Sequence, residues 1–600
     1  MGLATAFVLA ASASASAAPL GLGSCATVED VYRCDGLVQT WDGVPLDATV
    51  VLPSADAANL PLVAEIHGFG NSKYEYLDPA SKAYTDNAYG WAKEGYAVLT
   101  YTARGLWGSC GTPEARLANP ADCASGYIHL ADARYEARDT QELIGRLVDE
   151  GVADPARIGV TGDSYGGGQS FELAALRDRT MLPDGTLVPW TSPAGTPLSI
   201  AAAAPVIPWT SIVGAIAPNG RTLANEVTPP GAQASPVGVF KASVANAILA
   251  AAQNATGPGQ PTGEPFIPGR PMGFLAPPGT DPEADVTGWV ARSDLGEPYS
   301  DANAQEIVRQ LETFHSPYGI DDSVAPPPLY VGAGFSDDLF PVDETLRFIN
   351  RMRVTHRSVP WSLYFGDYGH QRASNKPADR ERLVEDIHDW FDHHLRGTGP
   401  RPRTGVAATT QTCPRTEPSE GPFSAPTFAG LARGEVRLSD SSARTFSQGG
   451  GDPSVAAMID PAAGQGDGCV EVSSRDVPNT ATYRLPAATG DGYTLLGAPE
   501  ITAALEVSGA APEDAQVNAR LWDVDGDSQR LVARGTLRPS GGATDVWELH
   551  ANGWRFAPGH VAKLELLGAD APYARPSNAA FTVSVSALEL RLPTREKRRR

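Results

Sequence analysis

Arg157-Ile-Gly-Val-Thr161 runs directly into Gly162-Asp163-Ser164-Tyr165-Gly166, and from Gly168 onward the pattern turns helical. The first five residues read as a short buried strand that closes on a glycine turn. A Gly-x-Ser-x-Gly between strand and helix puts the serine in a strained turn, where a Cβ at the flanking positions would clash with the neighbouring strand and helix. The motif alone recurs by chance in a chain with 62 Gly. Its placement between a strand and a helix is what marks Ser164 as a nucleophile.

The same rhythm extends to both sides. Val38 to Pro53 reads as a hairpin turning at Asp42-Gly43. Leu62 to Ile66 is a buried run ending at His67-Gly68-Phe69-Gly70, Tyr96 to Tyr101 is another, and Arg138 to Glu150 carries apolar residues at helical spacing. Leu198 to Val206, Leu329 to Ala333, a helix around Glu344 to Met352, Trp361 to Phe365 and a closing helix from Arg380 to Leu395 complete the series. Strands alternating with helices predict an α/β domain over residues 18–396, its parallel sheet covered on both faces. The rhythm breaks across 208–327, an insertion with a Pro/Gly-rich loop from Gly257 to Gly279, expected to form a cap over the carboxyl end of the sheet. Residues 397–426, rich in Pro, Gly, Thr and Ser, read as a linker. Beyond them Val517, Ala519 and Leu521 alternate with Gln516, Asn518 and Arg520, while Ala562, Leu564 and Leu566 alternate with Val561, Lys563 and Glu565. This two-residue period predicts an all-β sandwich or jelly roll over 427–593, followed by a basic tail, 594–600.

Serine is a weak nucleophile at neutral pH and needs a base within hydrogen-bond reach and a carboxylate to orient that base. Strand–turn–helix serines of this kind take their partners in the order Ser, Asp, His. Gly334-Phe-Ser-Asp337-Asp338 follows the strand Leu329 to Ala333 and offers Asp337, with Asp338 as the alternative. Gly366-Asp-Tyr-Gly-His370 follows the next strand and offers the base. His388, His393 and His394 fall on the closing helix, where core or capping roles are expected, and His67 is read as shaping a turn. The oxyanion of a tetrahedral intermediate needs two donors, for which the candidates are the N–H of Tyr165, at a helix N-terminus, and the N–H of Phe69. Asp163 is expected to pack under the turn. Gly68-Phe-Gly70-Asn-Ser-Lys73 lacks the third glycine of a dinucleotide site and the spacing of a P-loop. Asp523-Val-Asp525-Gly-Asp527 lacks the closing Glu of a calcium loop and reads as a hairpin turn. No metal and no cofactor is expected.

The 600 residues, 42% hydrophobic and 20% charged, have a globular composition. Forty-seven Lys plus Arg against 70 Asp plus Glu leave a net charge of -23, which repels phosphate backbones, so nucleic acid is not an expected partner. Cys25 and Cys34, Cys110 and Cys123, and Cys413 and Cys469 are sequential near neighbours without C-x-x-C spacing, which predicts three local disulfides and an oxidising compartment. Leu3 to Ala11, followed by Ala15-Ser16-Ala17, reads as a signal peptide over 1–17 and predicts secretion to the extracellular space or cell wall. No other apolar stretch approaches the ~18 residues of a membrane span.

The G-x-S-Y-x-G turn (Gly162, Ser164, Tyr165, Gly167), Asp154-Pro-Ala-Arg-Ile-Gly-Val160, Gly334-Phe-Ser-Asp337 and Trp390-Phe-Asp-His-His-Leu395 together resemble α/β-hydrolases of the X-Pro dipeptidyl-peptidase and cocaine-esterase type. Leu521-Trp-Asp-Val-Asp-Gly-Asp527 and Gly535-Thr-Leu-Arg538 resemble the C-terminal domain of that family. The resemblance implies an α/β-hydrolase fold with a helical cap insertion and a C-terminal jelly roll. It implies a serine hydrolase that cleaves small peptide or ester substrates through an acyl-enzyme, with Ser164 as nucleophile, Asp337 as orienter, His370 as base and Tyr165 N–H as oxyanion donor. The activity expected is Xaa-Pro dipeptidyl-peptidase-like, with a carboxylesterase or α-amino-acid ester hydrolase as the alternative and a non-catalytic glycan-binding protein as a distant one. Several relatives supply a tyrosine hydroxyl to the oxyanion from the loop where this chain reads His67-Gly-Phe-Gly70, so a backbone-only oxyanion hole is expected here. A peptidase that cleaves after a dipeptide needs a carboxylate for the substrate ammonium, and the cap offers Glu226, Asp281 and Glu283.

Overall fold

The computed structural model describes residues 18–80, 84–229, 231–253, 271–462 and 468–597. The signal-peptide reading of 1–17, the 254–270 part of the insertion loop and the last three residues of the basic tail lie outside these segments.

The larger sheet has eleven strands: β1 (Ser24–Val28), β2 (Val31–Gln39), β3 (Pro45–Leu52), β4 (Leu60–Ile66), β5 (Ala97–Tyr101), β6 (Ala153–Asp163), β7 (Ile200–Val206), β8 (Leu329–Gly334), β9 (Trp361–Gly366), β10 (Gly405–Ala408) and β11 (Phe423–Ala425). From β5 through β4, β6, β7, β8 and β9 to β10 every neighbouring pair is parallel. β1, β2 and β3 join antiparallel at one edge and β11 closes the other. Apolar residues on both faces of the parallel strands explain why sequence shows them as continuous runs. On β4, Leu62, Ala64 and Ile66 pack into one core with the helices α2 (Glu136–Asp149) and α3 (Tyr165–Leu176), whereas Val63 faces a second core with α1 (Ala88–Lys93).

Parallel strands bring their carboxyl ends to one edge of the sheet. Ile66 lies beside Gly162, and Gly334 beside Gly366, so the loops that leave β4, β6, β8 and β9 converge there, as ligand loops do in open α/β sheets. Above this edge the insertion contributes α4 (Ile212–Ile216), α5 (Ala242–Gln253), α6 (Val286–Leu295) and α7 (Ala302–Phe314). Ile212, Val244, Val286 and Leu311 from these helices share a core with Tyr165, Leu339 and Phe340.

Two findings differ from the sequence reading. The stretch 397–426, read as a linker, holds β10 and β11, and Ser362 to Phe365 pair with Gly405 to Ala408. Strands of four and three residues between prolines and glycines carry too little periodicity to be seen in sequence, and it is the backbone edge of β9 that selects them. The second difference lies in the C-terminal β-rich domain, where a seven-stranded and a five-stranded sheet enclose a core that includes Ile501, Leu521, Leu564 and Leu590. Val517–Asp525 alternates as expected, yet Asn518 and Arg520 on its polar side are buried as well. That side faces charged partners instead of water: Arg520 pairs with Glu565 at 3.3 Å and with Asp570. Just past the end of the adjoining strand, Ser528–Leu537, Arg538 pairs with Glu297 of the insertion at 3.2 Å.

Cys25–Cys34, Cys110–Cys123 and Cys413–Cys469 are disulfide-bonded. Among the described residues no helix is long and apolar enough to cross a membrane. The disulfides fit an extracellular protein.

Candidate active site

Ser164 sits between β6 and α3 with φ 55° and ψ -112°, and its N–H donates a hydrogen bond to the Val206 carbonyl at 3.0 Å. The glycines around it are required by space. A Cβ on Gly162 would lie 2.2 Å from the Ile66 carbonyl oxygen, and one on Gly166 only 1.7 Å from the same atom. Backbone-to-backbone approach this close is what lets α3 start directly beneath the serine.

The Ser164 hydroxyl lies 2.7 Å from His370 Nε2, and His370 Nδ1 lies 2.7 Å from Asp337 Oδ2. Asp337 is buried and accepts the His370 amide at 3.1 Å through Oδ2, and the amides of Leu339 and Phe340 at 3.0 and 2.9 Å through Oδ1. A carboxylate with this many donors is fixed in orientation, and it selects the His370 tautomer that carries its proton on Nδ1. Phe340 packs edge-on against the imidazole, centroids 5.1 Å apart. The three residues singled out by chain order thus meet at the carboxyl edge of the sheet.

Asp338, the alternative acid, points away. Its carboxylate receives Arg372 Nε and Nη2 at 2.8 and 2.9 Å, and Arg534 Nε of the β-rich domain lies 3.3 Å away. Burial alone would raise its pKa, but the two guanidiniums outweigh burial and hold it below the ordinary value of 3.8. The Asp338 carbonyl also accepts Lys241 Nζ of the insertion at 2.7 Å and Tyr573 Oη at 3.3 Å. The loop that carries Asp337 is therefore gripped from the insertion, from the His370 loop and from the β-rich domain. Sequence reasoning missed this clamp, because nothing local links residues 241, 338, 372 and 534.

The turn after β4 closes with Asn71 N–H on the Gly68 carbonyl at 3.0 Å, and Gly70 takes φ 80° at its third position, where glycine is favoured. This bond leaves the Phe69 N–H out of the turn. The Tyr165 N–H is the first of α3 and has no carbonyl partner within the helix. The two residues adjoin, with ring centroids 5.2 Å apart, and both line the same cavity as Ser164. The Tyr165 hydroxyl is anchored elsewhere, donating to Glu136 Oε1 at 3.1 Å and accepting the Ala131 amide at 3.1 Å. His67 is fully buried, and burial lowers its pKa to about 4. Its neutral ring bonds the Gly68 carbonyl through Nδ1 at 2.7 Å and accepts Ala103 N–H through Nε2 at 2.9 Å, the turn-shaping role read from sequence.

Asp163 packs under the turn and accepts the Tyr76 hydroxyl at 2.8 Å. Beside it Glu75 accepts Gly68 N–H at 2.8 Å and Asn71 Nδ2 at 2.9 Å. Burial, then the nearby Asp163, raises Glu75 to about 8, and burial raises Asp163 to about 6. Glu75, another residue that sequence did not flag, thus fixes the turn holding Phe69.

A cavity of about 260 Å³ opens onto Ser164 and His370. Phe69, Trp209, Ile216, Val244, Ile248 and Phe340 supply much of its wall. The acids that the insertion offered lie off it: Glu283 accepts Arg134 Nη1 and Tyr135 Oη, each at 2.7 Å, Asp281 accepts Tyr127 Oη at 2.5 Å, and Glu226 is exposed.

Fold and site together define an α/β-hydrolase-like protein with a large central sheet and a C-terminal β-rich domain. The family described as X-Pro dipeptidyl-peptidase (S15 family) matches residues 42–182, which contain β4, the Gly162–Gly166 turn with Ser164, and α3. No curated protein matches the chain. Among solved structures, an α-amino acid ester hydrolase aligns over 96% of this chain and 98% of its own at 14% identity with a TM-score of 0.58. A CocE/NonD family hydrolase from Staphylococcus aureus covers 94% of each chain at 14% identity and a TM-score of 0.56. An aminopeptidase from a marine sediment archaeon, Thaumarchaeota archaeon, covers 94% of this chain and 97% of its own at 12% identity and a TM-score of 0.56. Such low identities speak for the fold. The resemblance to hydrolases of the X-Pro dipeptidyl-peptidase and cocaine-esterase type now rests on motifs, on the family match and on the fold of nearly the whole chain.

Proposed function

We propose that this protein is a secreted serine hydrolase that cleaves peptide or ester bonds through an acyl-enzyme on Ser164. The observation that carries the reading is the pair of 2.7 Å contacts linking Ser164, His370 and Asp337. As Ser164 Oγ bonds to the substrate carbonyl carbon, its proton passes to His370 Nε2, and Asp337 stabilises the imidazolium. The carbonyl oxygen becomes an oxyanion facing the N–H groups of Tyr165 and Phe69. The C–O or C–N bond then breaks and the leaving group departs with the proton from His370. Water attacks the acyl-enzyme, gives a proton to His370, and the acid is released as Ser164 recovers its own.

In this reading 18–396, completed by β10 and β11 from 397–426, is the catalytic domain, 208–327 its helical cap, and 427–593 a jelly roll. The three disulfides support export after cleavage of residues 1–17. Xaa-Pro dipeptidyl-peptidase-like cleavage is a second reading, supported by the family match over 42–182. A fluorophosphonate probe tests the nucleophile: labelling of the wild type should vanish in Ser164→Ala, and undiminished labelling of that variant would refute the assignment. A glycan-binding protein without turnover would take no label at all.

A further inference from the structure

We infer that the substrate is an ester of an uncharged, medium-length aliphatic acyl group, bound by the insertion, and not an aminoacyl or dipeptidyl compound. The inference rests on Ser164 being the nucleophile. It comes from the chemistry of the cavity wall. Among the described residues, only five side chains on that wall bear polar atoms: Ser164, Tyr165, Trp209, His370 and Gln371. Two of these are already committed, Tyr165 to Glu136 and Ala131 and Trp209 Nε1 to the His315 carbonyl at 2.7 Å. Ser164 and His370 carry the chemistry, which leaves exposed Gln371 as the one uncommitted polar side chain, and it is uncharged.

A substrate ammonium brought against this wall would lose water and meet no described carboxylate. Burying an unpaired charge costs several kcal/mol, enough to reject such a substrate by more than about 100-fold. An alkyl chain meets the opposite situation. Ile216 on α4 and Val244 and Ile248 on α5 face the space above Ser164 together with Phe69, Trp209 and Phe340, so each methylene that enters leaves water for an apolar wall. The volume of about 260 Å³ falls just under the ~300 Å³ at which pockets for drug-sized ligands begin, which suits a chain of medium length. The reaction balances as the general one does: the acyl group passes to Ser164 Oγ, its alcohol leaves with the proton held on His370, and water returns the acyl group as a carboxylic acid.

The test is a p-nitrophenyl ester series from acetyl to dodecanoyl on the purified protein, run beside p-nitrophenyl esters of amino acids and Xaa-Pro anilides. At about 0.8 kcal/mol per buried methylene, kcat/KM should rise roughly fourfold per methylene from acetyl through hexanoyl. It should level off or fall by dodecanoyl and exceed that for the amino-acid esters by at least about 100-fold. Val244→Trp fills the cavity, so the octanoyl-to-acetyl ratio of that variant should drop by more than about tenfold, a comparison internal to one preparation. A flat chain-length profile, an unchanged ratio in Val244→Trp, or preference for the ammonium-bearing substrates, each with normal fluorophosphonate labelling of Ser164, overturns this inference alone. Absence of labelling in the wild type overturns the nucleophile reading and the inference with it.

Discussion

Replacing Asp338 by Asn should damage both stability and acylation, although Asp338 touches neither Ser164 nor His370. Its carboxylate sits 2.8 and 2.9 Å from Arg372 and 3.3 Å from Arg534, and all three side chains are at most 5% exposed. The neutral amide of Asp338→Asn would leave Arg372 in a dry site without its countercharge and Arg534 with only Asp570, 3.8 Å away, and breaking a buried pair in this way costs about 3–5 kcal/mol. The sign with pH follows from the lowered pKa. The stabilisation is fully present above the unfolded value near 3.8 and is lost as pH falls through the lower folded value. The wild type should therefore outlast the variant by the full margin at pH 7 and lose that margin only in strong acid. Asp337 precedes Asp338 and Arg372 follows His370 by two residues, so loosening the clamp lets the two loops drift. A misplacement of about 1 Å can cost ~10²-fold, and a loss of about 10- to 100-fold in the fluorophosphonate labelling rate is expected at temperatures where the variant is still folded. Urea unfolding at pH 7, with labelling kinetics on the same samples, measures both. A variant with the wild-type urea midpoint and labelling rate would refute the clamp.

Asp337→Asn keeps the shape of the site but removes the charge that stabilises the His370 imidazolium, and should lower kcat by about 10⁴-fold on any accepted ester without shifting the urea midpoint greatly. Glu75 is raised from 4.5 to about 8, so its contribution to stability is fully present below pH 4.5 and is lost as pH rises through about 8. Glu75→Gln should flatten the decline of the urea midpoint across that window, and parallel profiles for the two proteins would count against it. Cys413 and Cys469 close a loop of 56 residues in sequence separation, for which loop entropy predicts about 4 kcal/mol. The Cys413→Ala/Cys469→Ala double variant should unfold at correspondingly lower urea.

Much of the catalytic half was legible because its signals are local. A buried run, a Gly-x-Ser-x-Gly and a helical pattern are consecutive, and a parallel sheet then forces the loops after β8 and β9 to the same edge, so chain order could select His370 and narrow the acid to Asp337 or Asp338. β10 and β11 were not legible, since three or four residues do not make a period. Nor was the burial of Asn518 and Arg520, because alternation says which side of a strand is polar but not whether that side meets water or buried partners such as Glu565 and Asp570.

The sequence by itself therefore determined the strand–turn–helix unit around Ser164 and the order of nucleophile, acid and base, which depend on neighbours along the chain or on the fixed polarity of parallel strands, and it suggested the cysteine pairs from their order in the chain. Only the tertiary structure decided which of Asp337 and Asp338 faces His370, since adjacent loop residues differ in direction and not in spacing. It alone separated the acids of the insertion from the cavity, by bringing Arg134, Tyr135 and Tyr127 to Glu283 and Asp281. It alone put Ile216, Val244 and Ile248 above the serine. A binding wall is assembled from residues far apart in the chain, and their proximity is a property of packing that no local pattern encodes.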